Sequence, residues 1–393
     1  MKHIHPLRKQ ALPLILSGYL LLARVTTFAE GENSLSYKFQ IYSEDDGRME
    51  IPSHAVSLET SLPYDITFSG EILTNIMTGA SPTGLMDPNN PGEIQLSEVE
   101  DQRWAYIFSA TKGLGENHSV TFEYAYSEED DYISDGFALR SEHQFNAQNT
   151  TLQIGLAYND DDNTAIPLQG ARQKENIDLG LGLTQLLTPK TILQANFTFG
   201  YSRGYLGDPY KSISQRETFN IPGFPPFSED IPYFENRPDE RVRLVFRLGL
   251  LQYVEPLNGS INTSYRLFQD DAGIRAHTLA VEWNQKMGDT LVLSPYYRFY
   301  HQGQADYYYT NLDDVAITPN DDRTGRAPFY SADYRVSGFD AHTYGLKLVY
   351  RPTDWLSMDV GYERYVMQGN DSVTPGAAYP KAHVLNLGLS AHF

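Results

Sequence analysis

The sequence predicts an all-β protein, a single antiparallel transmembrane β-barrel of about sixteen strands with bounds of fourteen and eighteen. Three observations lead there: two-residue alternation recurring from residue 35 onward, connections that alternate short and long, and a terminal strand ending on Phe393. Composition agrees. Aromatic residues make up 13% of the chain, with 28 tyrosines, yet mean hydropathy is −0.43. That average excludes a helical membrane protein. It suits a membrane barrel, in which each strand alternates a lipid-facing apolar residue with a polar one facing the lumen.

The N-terminus reads as an export signal. Lys2, Arg8 and Lys9 precede an apolar run from Ala11 to Ala23, and Thr27-Phe28-Ala29 places small residues at the minus-three and minus-one positions. Cleavage is expected after Ala29, so residues 1–29 are the signal peptide and 30–393 the barrel. A membrane anchor is the alternative, but the run is shorter than the ~20 residues that span a bilayer.

The strands follow in order. Leu35, Tyr37, Phe39 and Ile41 form the first apolar row; weaker patterns lie at Met49 to Leu58 and Phe137 to Phe145, and a clear one at Ile66 to Ile72. Trp104 to Ala110, Val120 to Tyr126, Leu152 to Tyr158, Ile177 to Leu183 and Leu193 to Phe199 each alternate cleanly. Val242 to Leu250, Ile261 to Leu267, Leu279 to Trp283 and Leu291 to Phe299 continue the series, then His342 to Tyr350 and Leu356 to Tyr362. Leu385, Leu387, Leu389, Ala391 and Phe393 complete it and resemble the terminal aromatic signature by which the barrel-assembly machinery recognises its clients. The total is even, and residues 30–393 allow about 23 per strand and connection, enough for a tilted strand of about 9 to 11 plus a turn.

Counting from an outward-running first strand, the even connections are compact and rich in turn formers: Ser61 to Tyr64, Lys112 to His118, Asn146 to Asn149, Leu187 to Lys190, Glu255 to Gly259, Lys286 to Asp289 and Arg351 to Asp354. These are read as periplasmic turns. The odd connections, including Met77 to Asp101, Asn159 to Asn176, Ser202 to Glu240 and Gln302 to Gly338, are long and read as extracellular. Within the longest, Ile221-Pro222-Gly223-Phe224-Pro225-Pro226-Phe227 forbids a regular central strand. It either folds inward as a plug or stands exposed. No domain boundary is visible.

Carboxylates cluster at the outward strand ends, as Glu44-Asp45-Asp46, Glu128-Glu129-Asp130-Asp131, Asp160-Asp161-Asp162 and Asp270-Asp271, with Asp313-Asp314 and Asp321-Asp322 in a later loop. They read as a solvated rim or as hard oxygen ligands for divalent cations such as calcium, which would also bridge to lipopolysaccharide; the spacing is not that of an EF-hand. No other cofactor is implied. The absence of cysteine excludes disulfides, thiolate metal sites, acylation at cysteine and covalent haem. With a net charge of −20, made more negative if Lys2, Arg8, Lys9 and Arg24 are removed, nucleic acid is excluded as a partner. Outer-membrane lipid, the assembly machinery and small solutes remain.

By strand parity Arg241, Arg243, Arg247, Arg266 and Arg298 face the lumen, as do Glu71, Glu123, Asp178, Glu282 and Asp359. Opposed charges of this kind either set the selectivity of a polar pore or pack a closed lumen with salt bridges. No enzyme is expected: there is no Gly-x-Ser-x-Gly elbow, phosphate loop or His-Glu-x-x-His pair. His118-Ser119 falls in a periplasmic turn, away from the outer leaflet where a lipase would work. Acidic pairs near His277 and His301 are superficially similar to the sites of outer-membrane proteases.

Five segments, Tyr42 to Arg48, Thr78 to Pro82, Gly204 to Tyr210, Arg237 to Arg241 and Ser331 to Arg335, resemble those of a bacterial outer-membrane family catalogued as domain of unknown function 3570. The resemblance covers nearly the whole chain after residue 29 and implies an outer-membrane barrel. It assigns no activity and no catalytic residue. Two functions follow as expectations: a porin-like channel for small polar or ionic solutes, since about sixteen strands leave an aqueous lumen unless loops fill it, or a non-conducting barrel serving an envelope redox or assembly system.

Overall fold

The computed structural model describes residues 33–393, leaving out 91, 169, 320–322 and 324. The expected signal peptide and the pair Asp321-Asp322 lie outside the described residues. Nine strands come first: β1 (Ser34–Glu44), β2 (Met49–Leu62), β3 (Ile66–Met86), β4 (Ile94–Gly113), β5 (His118–Glu128), β6 (Tyr132–Phe145), β7 (Thr150–Asn163), β8 (Arg172–Thr188) and β9 (Thr191–Gly204). A separate hairpin, β10 (Ser212–Phe219) and β11 (Phe227–Phe234), interrupts the series. It resumes with β12 (Glu240–Val254), β13 (Gly259–Asp270), β14 (Arg275–Met287), β15 (Leu291–Gln302), β16 (Phe339–Thr353), β17 (Leu356–Gly369) and β18 (Lys381–His392).

All but the hairpin close into one antiparallel barrel of sixteen strands, with β9 pairing β12 and β1 pairing β18. Each strand that the alternation predicts has its counterpart. The seam is fastened beyond the strands: Asn33 and Phe393 exchange backbone hydrogen bonds of 3.0 and 2.9 Å. Closure leaves no free edge, so every wall strand satisfies its backbone groups on both sides, as a lipid environment requires.

Alternation sets the two faces. On β12, Leu244, Leu248 and Leu250 remain about 40% exposed on the outside, while Arg243 and Arg247 take the opposite parity. Leu385, Leu387, Leu389 and Phe393 are likewise exposed on the outer face of β18. Large apolar groups turned outward are the inverse of a soluble fold and match a hydrocarbon solvent.

Two connections are shorter than the sequence pattern predicts. β3 and β4, 21 and 20 residues long, stay paired as far as Met86 and Ile94, so most of Met77 to Asp101 is wall rather than loop. Similarly, β7 runs to Asn163 and β8 starts at Arg172. The polar, glycine-containing sequence there belongs to strands that continue beyond the apolar belt, where no lipid-facing row is needed.

The buried apolar clusters all lie at the outward end. Ala272, Ile274, Ala305, Tyr307, Tyr308 and Val336 form one, and Ile213, Leu312, Tyr330 and Ala332 another. Met49, Met77 and Val99 pack at the outward ends of β2, β3 and β4. The inward residues change along the axis. Near the outward end Arg103, Asn159, Asp161, Asn176 and Ser202 are buried, whereas Lys38, Gln40 and Lys347 further down are exposed to the lumen.

Candidate pore and its loop cap

The outward mouth is crossed by two loops. The first leaves β9 at Gly204, whose φ of +104° suits glycine and where a Cβ would stand 2.3 Å from the Gln173 carbonyl. Its two flanks, residues 205–211 and 235–239, enclose the β10–β11 hairpin; the second loop joins β15 to β16. The Pro-rich stretch from Ile221 to Phe227 is the tip of that hairpin, and its side chains are exposed. The flanks do the covering instead.

Six charged side chains hold the cap together. Arg335 Nε donates to both oxygens of Asp333, at 2.9 and 2.8 Å, and its Nη2 donates to Asp208. Arg237 Nη2 reaches Asp333 at 2.6 Å and Glu235 at 2.9 Å. The Ser331 hydroxyl also donates to Glu235, at 2.5 Å. Lys211, wholly buried, donates to the Ser81 hydroxyl at 3.0 Å and to the Pro82 carbonyl. Three cations thus balance three anions.

Removing any one of them would strand a buried charge, a loss of about 3–5 kcal/mol. Burial pushes the Glu235 carboxyl up and the Lys211 ammonium down. Burial acts on Asp333 in the same sense as on Glu235, but Arg335 and Arg237 overcome it and hold that carboxyl well below the usual range.

These contacts span the mouth. Lys211 ties the first loop to β3, Tyr210 donates to Asp131 between β5 and β6, and the Tyr308 hydroxyl lies 2.5 Å from Thr374 between β17 and β18. The segment from Tyr42 to Arg48 joins through Arg48, which donates at 2.5 Å to Glu44 and at 2.8 Å to the Ala377 carbonyl. Gly79, with φ +143°, lets β3 pass against the Arg48 carbonyl. All five segments that carry the family resemblance therefore meet in the cap or at its anchorage. The sequence pattern marks none of Asp208, Lys211, Glu235, Arg237, Asp333 and Arg335 as a site residue; Asp208, Arg237, Asp333 and Arg335 lie within those segments, which is the signal available for them, and Lys211 and Glu235 lie just outside.

Below the cap is a cavity of about 350 Å³, lined among others by Arg241, Arg243, Arg266, Tyr300 and Asp161. Arg241 donates to Asp270 at 2.8 Å and Arg243 to Asp178 at 3.3 Å. Arg247, Arg266 and Arg298 have no carboxylate within 4.0 Å among the described residues. Arg247 faces Arg266 directly across β12 and β13, and Arg298 lies close enough to Arg266 to repel it. Aromatic rings support two of them, Phe268 at 5.5 Å from Arg266 and Tyr300 at 5.7 Å from Arg298.

The expected lumen carboxylates are dispersed. Glu71 stands opposite Ser57 and Ile107, Glu123 opposite Ser109 and Ala138. Glu282 accepts from Asn284 at 2.9 Å, and Asp359 lies 3.8 Å from Lys347.

Strand parity also splits the acidic runs. Glu44 accepts from Arg48, Asp45 from Arg364 at 2.6 Å, and Asp46 occupies a turn with φ 59°. Glu128 accepts from Tyr126 at 3.1 Å. Glu129 lies 3.8 Å from Arg103; burial, with Asp101 nearby, pushes its carboxyl up to about 8. The Asp130 amide donates to Asp101, and Asp131 is held by Tyr210.

Asp161 turns inward to Ser134 at 2.5 Å and Lys174 at 3.0 Å, while Asp160 and Asp162 turn outward, exposed. Asp270 caps the Ile274 amide and Asp271 the Val242 amide. Among the described residues no three of these groups converge as ligands for one metal ion. His301 lies 2.6 Å from Asp340 and its ring 6.3 Å from that of His277, on the outer face of the wall.

No curated protein matches the chain. Among solved structures it is similar to CdiB from Acinetobacter baumannii, at 8% identity and a TM-score of 0.51, over 92% of this chain and 60% of that one. The siderophore receptor PirA from Pseudomonas aeruginosa aligns at 12% identity and 0.44, over 92% and 61%. OmpT of Vibrio cholerae aligns at 9% and 0.42, over 92% and 96%. The chain spans about three-fifths of the length of the first two. At such identities the likeness is one of fold, that of an outer-membrane β-barrel. A family model matches residues 14–170 and 162–383, and with nearly the whole chain covered, the protein belongs to the family described as protein of unknown function (DUF3570).

Proposed function

We propose that the protein is a porin-like channel for small polar or ionic solutes, closed at its outward mouth by its own loops in the conformation described here. The observation that carries this reading is the run of three lumen arginines with no carboxylate within 4.0 Å among the described residues, Arg298 feeling only the longer-range charge of Glu363. A lumen packed for stability alone pairs its charges, because like charges placed opposite one another are destabilising. An aqueous path instead leaves such groups free to meet a passing ion. Outer-membrane lipid surrounds the apolar belt, and the outward Leu385, Leu387, Leu389, Ala391 and Phe393 serve as the assembly signal.

The cap favours a second reading, a non-conducting barrel whose outward face is a fixed platform. Single-channel recording of the refolded barrel separates the two. Stepwise conductance that loses anion preference in an Arg266→Ala, Arg298→Ala double variant supports the channel. A folded, heat-modifiable barrel that stays electrically silent supports the platform.

A further inference from the structure

Two cavities meet at one partition. On its outer side a pocket of about 430 Å³ opens between the outward ends of β8 and β9 and the cap, with Arg172, Tyr205, Glu235, Arg237, Asp239 and Arg323 in its lining. On its inner side lies the lumen cavity with Arg241, Arg243 and Arg266. Tyr205, Leu206, Gly207 and Arg237 line both. The partition is therefore a single layer of residues. It is close-fitting at Gly207, where a Cβ would meet Glu235 Oε1 and the Tyr205 hydroxyl at 3.3 Å.

Charge in both chambers runs against that of the chain. The protein carries −20 overall, yet the outer lining sets three arginines against two carboxylates. The inner lining sets five arginines and Lys174 against four carboxylates. The outer pocket also contains open valences: the Tyr205 hydroxyl and Arg323 Nη1 are buried without a hydrogen-bond partner. Leaving such groups unmade is costly, and an oxyanion that reaches them as the septum moves would supply the missing acceptor.

We propose that the two cavities are successive stations on one route for small carboxylate or phosphate anions, with Tyr205-Leu206-Gly207 as the movable septum between them. This rests on the channel reading above and names its solute class. An anion entering the outer pocket accepts from the Tyr205 hydroxyl and Arg323. Arg237 faces both chambers and keeps a cation beside it as the septum shifts. Arg241, Arg243 and Arg266 then receive it. Several moderate sites in series suit conduction better than one tight site, since the ion must also leave.

The test compares the full-length refolded barrel with Leu206→Ala, which thins the septum, and Gly207→Val, which wedges it. Conductance is measured in planar bilayers under a potassium chloride gradient, with succinate or inorganic phosphate added as blockers. The expected result is conductance or open time raised severalfold in Leu206→Ala, lowered in Gly207→Val, and reduced by the blockers. Block by succinate alone assigns the route to carboxylates, and block by phosphate alone to phosphate.

Because the chain has no cysteine, Leu206→Cys offers an independent readout. It should react with an anionic thiol reagent at least several times faster than with a cationic one. A conducting barrel whose septum variants match the parent, with neither anion blocking, overturns the septum and leaves the channel reading standing. Silence in all three barrels overturns both.

Discussion

The outward and periplasmic halves of the lumen are built from the same sixteen strands, with the same alternation, and yet they are in opposite states. Outward, the inward side chains are buried against cap residues and one another: Arg103 bonds Ser127 at 3.0 Å, and Asp161 is shared among Ser134, Lys174 and Asn176. Toward the periplasm, Lys347 keeps half its side chain exposed and meets Asp359 only at 3.8 Å. The difference teaches that wall and lumen are specified separately. Alternation along each strand builds the wall, whereas the state of the lumen depends on loop residues more than a hundred positions away.

The largest effect that would break this contrast is expected from Arg335→Ala. It leaves Asp333 and Asp208 buried without their main cation, at a cost of about 3–5 kcal/mol to the cap. Faster amide exchange across residues 205–239 should follow, with the wall unchanged. Lys347→Ala, its counterpart in the wet half, should cost at most about 1 kcal/mol. Equal effects from the two would remove the distinction.

Acidity gives an intermediate test. The Glu129 carboxyl lies at about 8 in the folded protein, above the ~4.3 of an unfolded chain. The folded state therefore holds a proton that the unfolded state releases between those values. Its contribution is fully present below about 4.3 and is lost as pH rises through 8. Denaturation midpoints should fall over that window, and Glu129→Gln should flatten the fall; an identical profile in the variant would clear Glu129 of the effect.

The smallest effect concerns calcium. With Asp45, Asp131, Asp161 and Asp270 already engaged by Arg364, Tyr210, Lys174 and Arg241, titration calorimetry should give little heat above a buffer control. Saturable heat would show that the rim opens to take cations.

The wall was legible because a membrane barrel repeats one local rule. Leu193 to Phe199 and Val242 to Leu250 each announce a strand without reference to anything else, and their pairing follows from the closed ring. The hairpin was not legible. Its strands are short and mix apolar with charged residues, only the Ile213–Tyr233 end packs into a core, made with Leu312 and Tyr330 from a distant loop, and Pro232 sits inside β11 opposite Ser214, tolerated because both strands of a two-stranded sheet are edges.

The lumen arginines could be placed by parity, but parity could not say that Arg243 finds Asp178 while Arg266 finds no carboxylate. The cap was hidden for a related reason. Asp208 and Arg335 are 127 positions apart, Lys211 and Ser81 130, and no periodic pattern links loops that meet only after a ring has closed.

The seam between β1 and β18 imposes an order in time. Neither strand has its second neighbour until the two meet, so the sheet stays open until β1 and β18 pair. The anchorages on β3 and between β17 and β18 reach their final separation at that moment, and loops formed earlier have nothing fixed to grip. Roof follows wall, and a sheet still open between β1 and β18 would leave two unpaired edges and cap arginines without their partners.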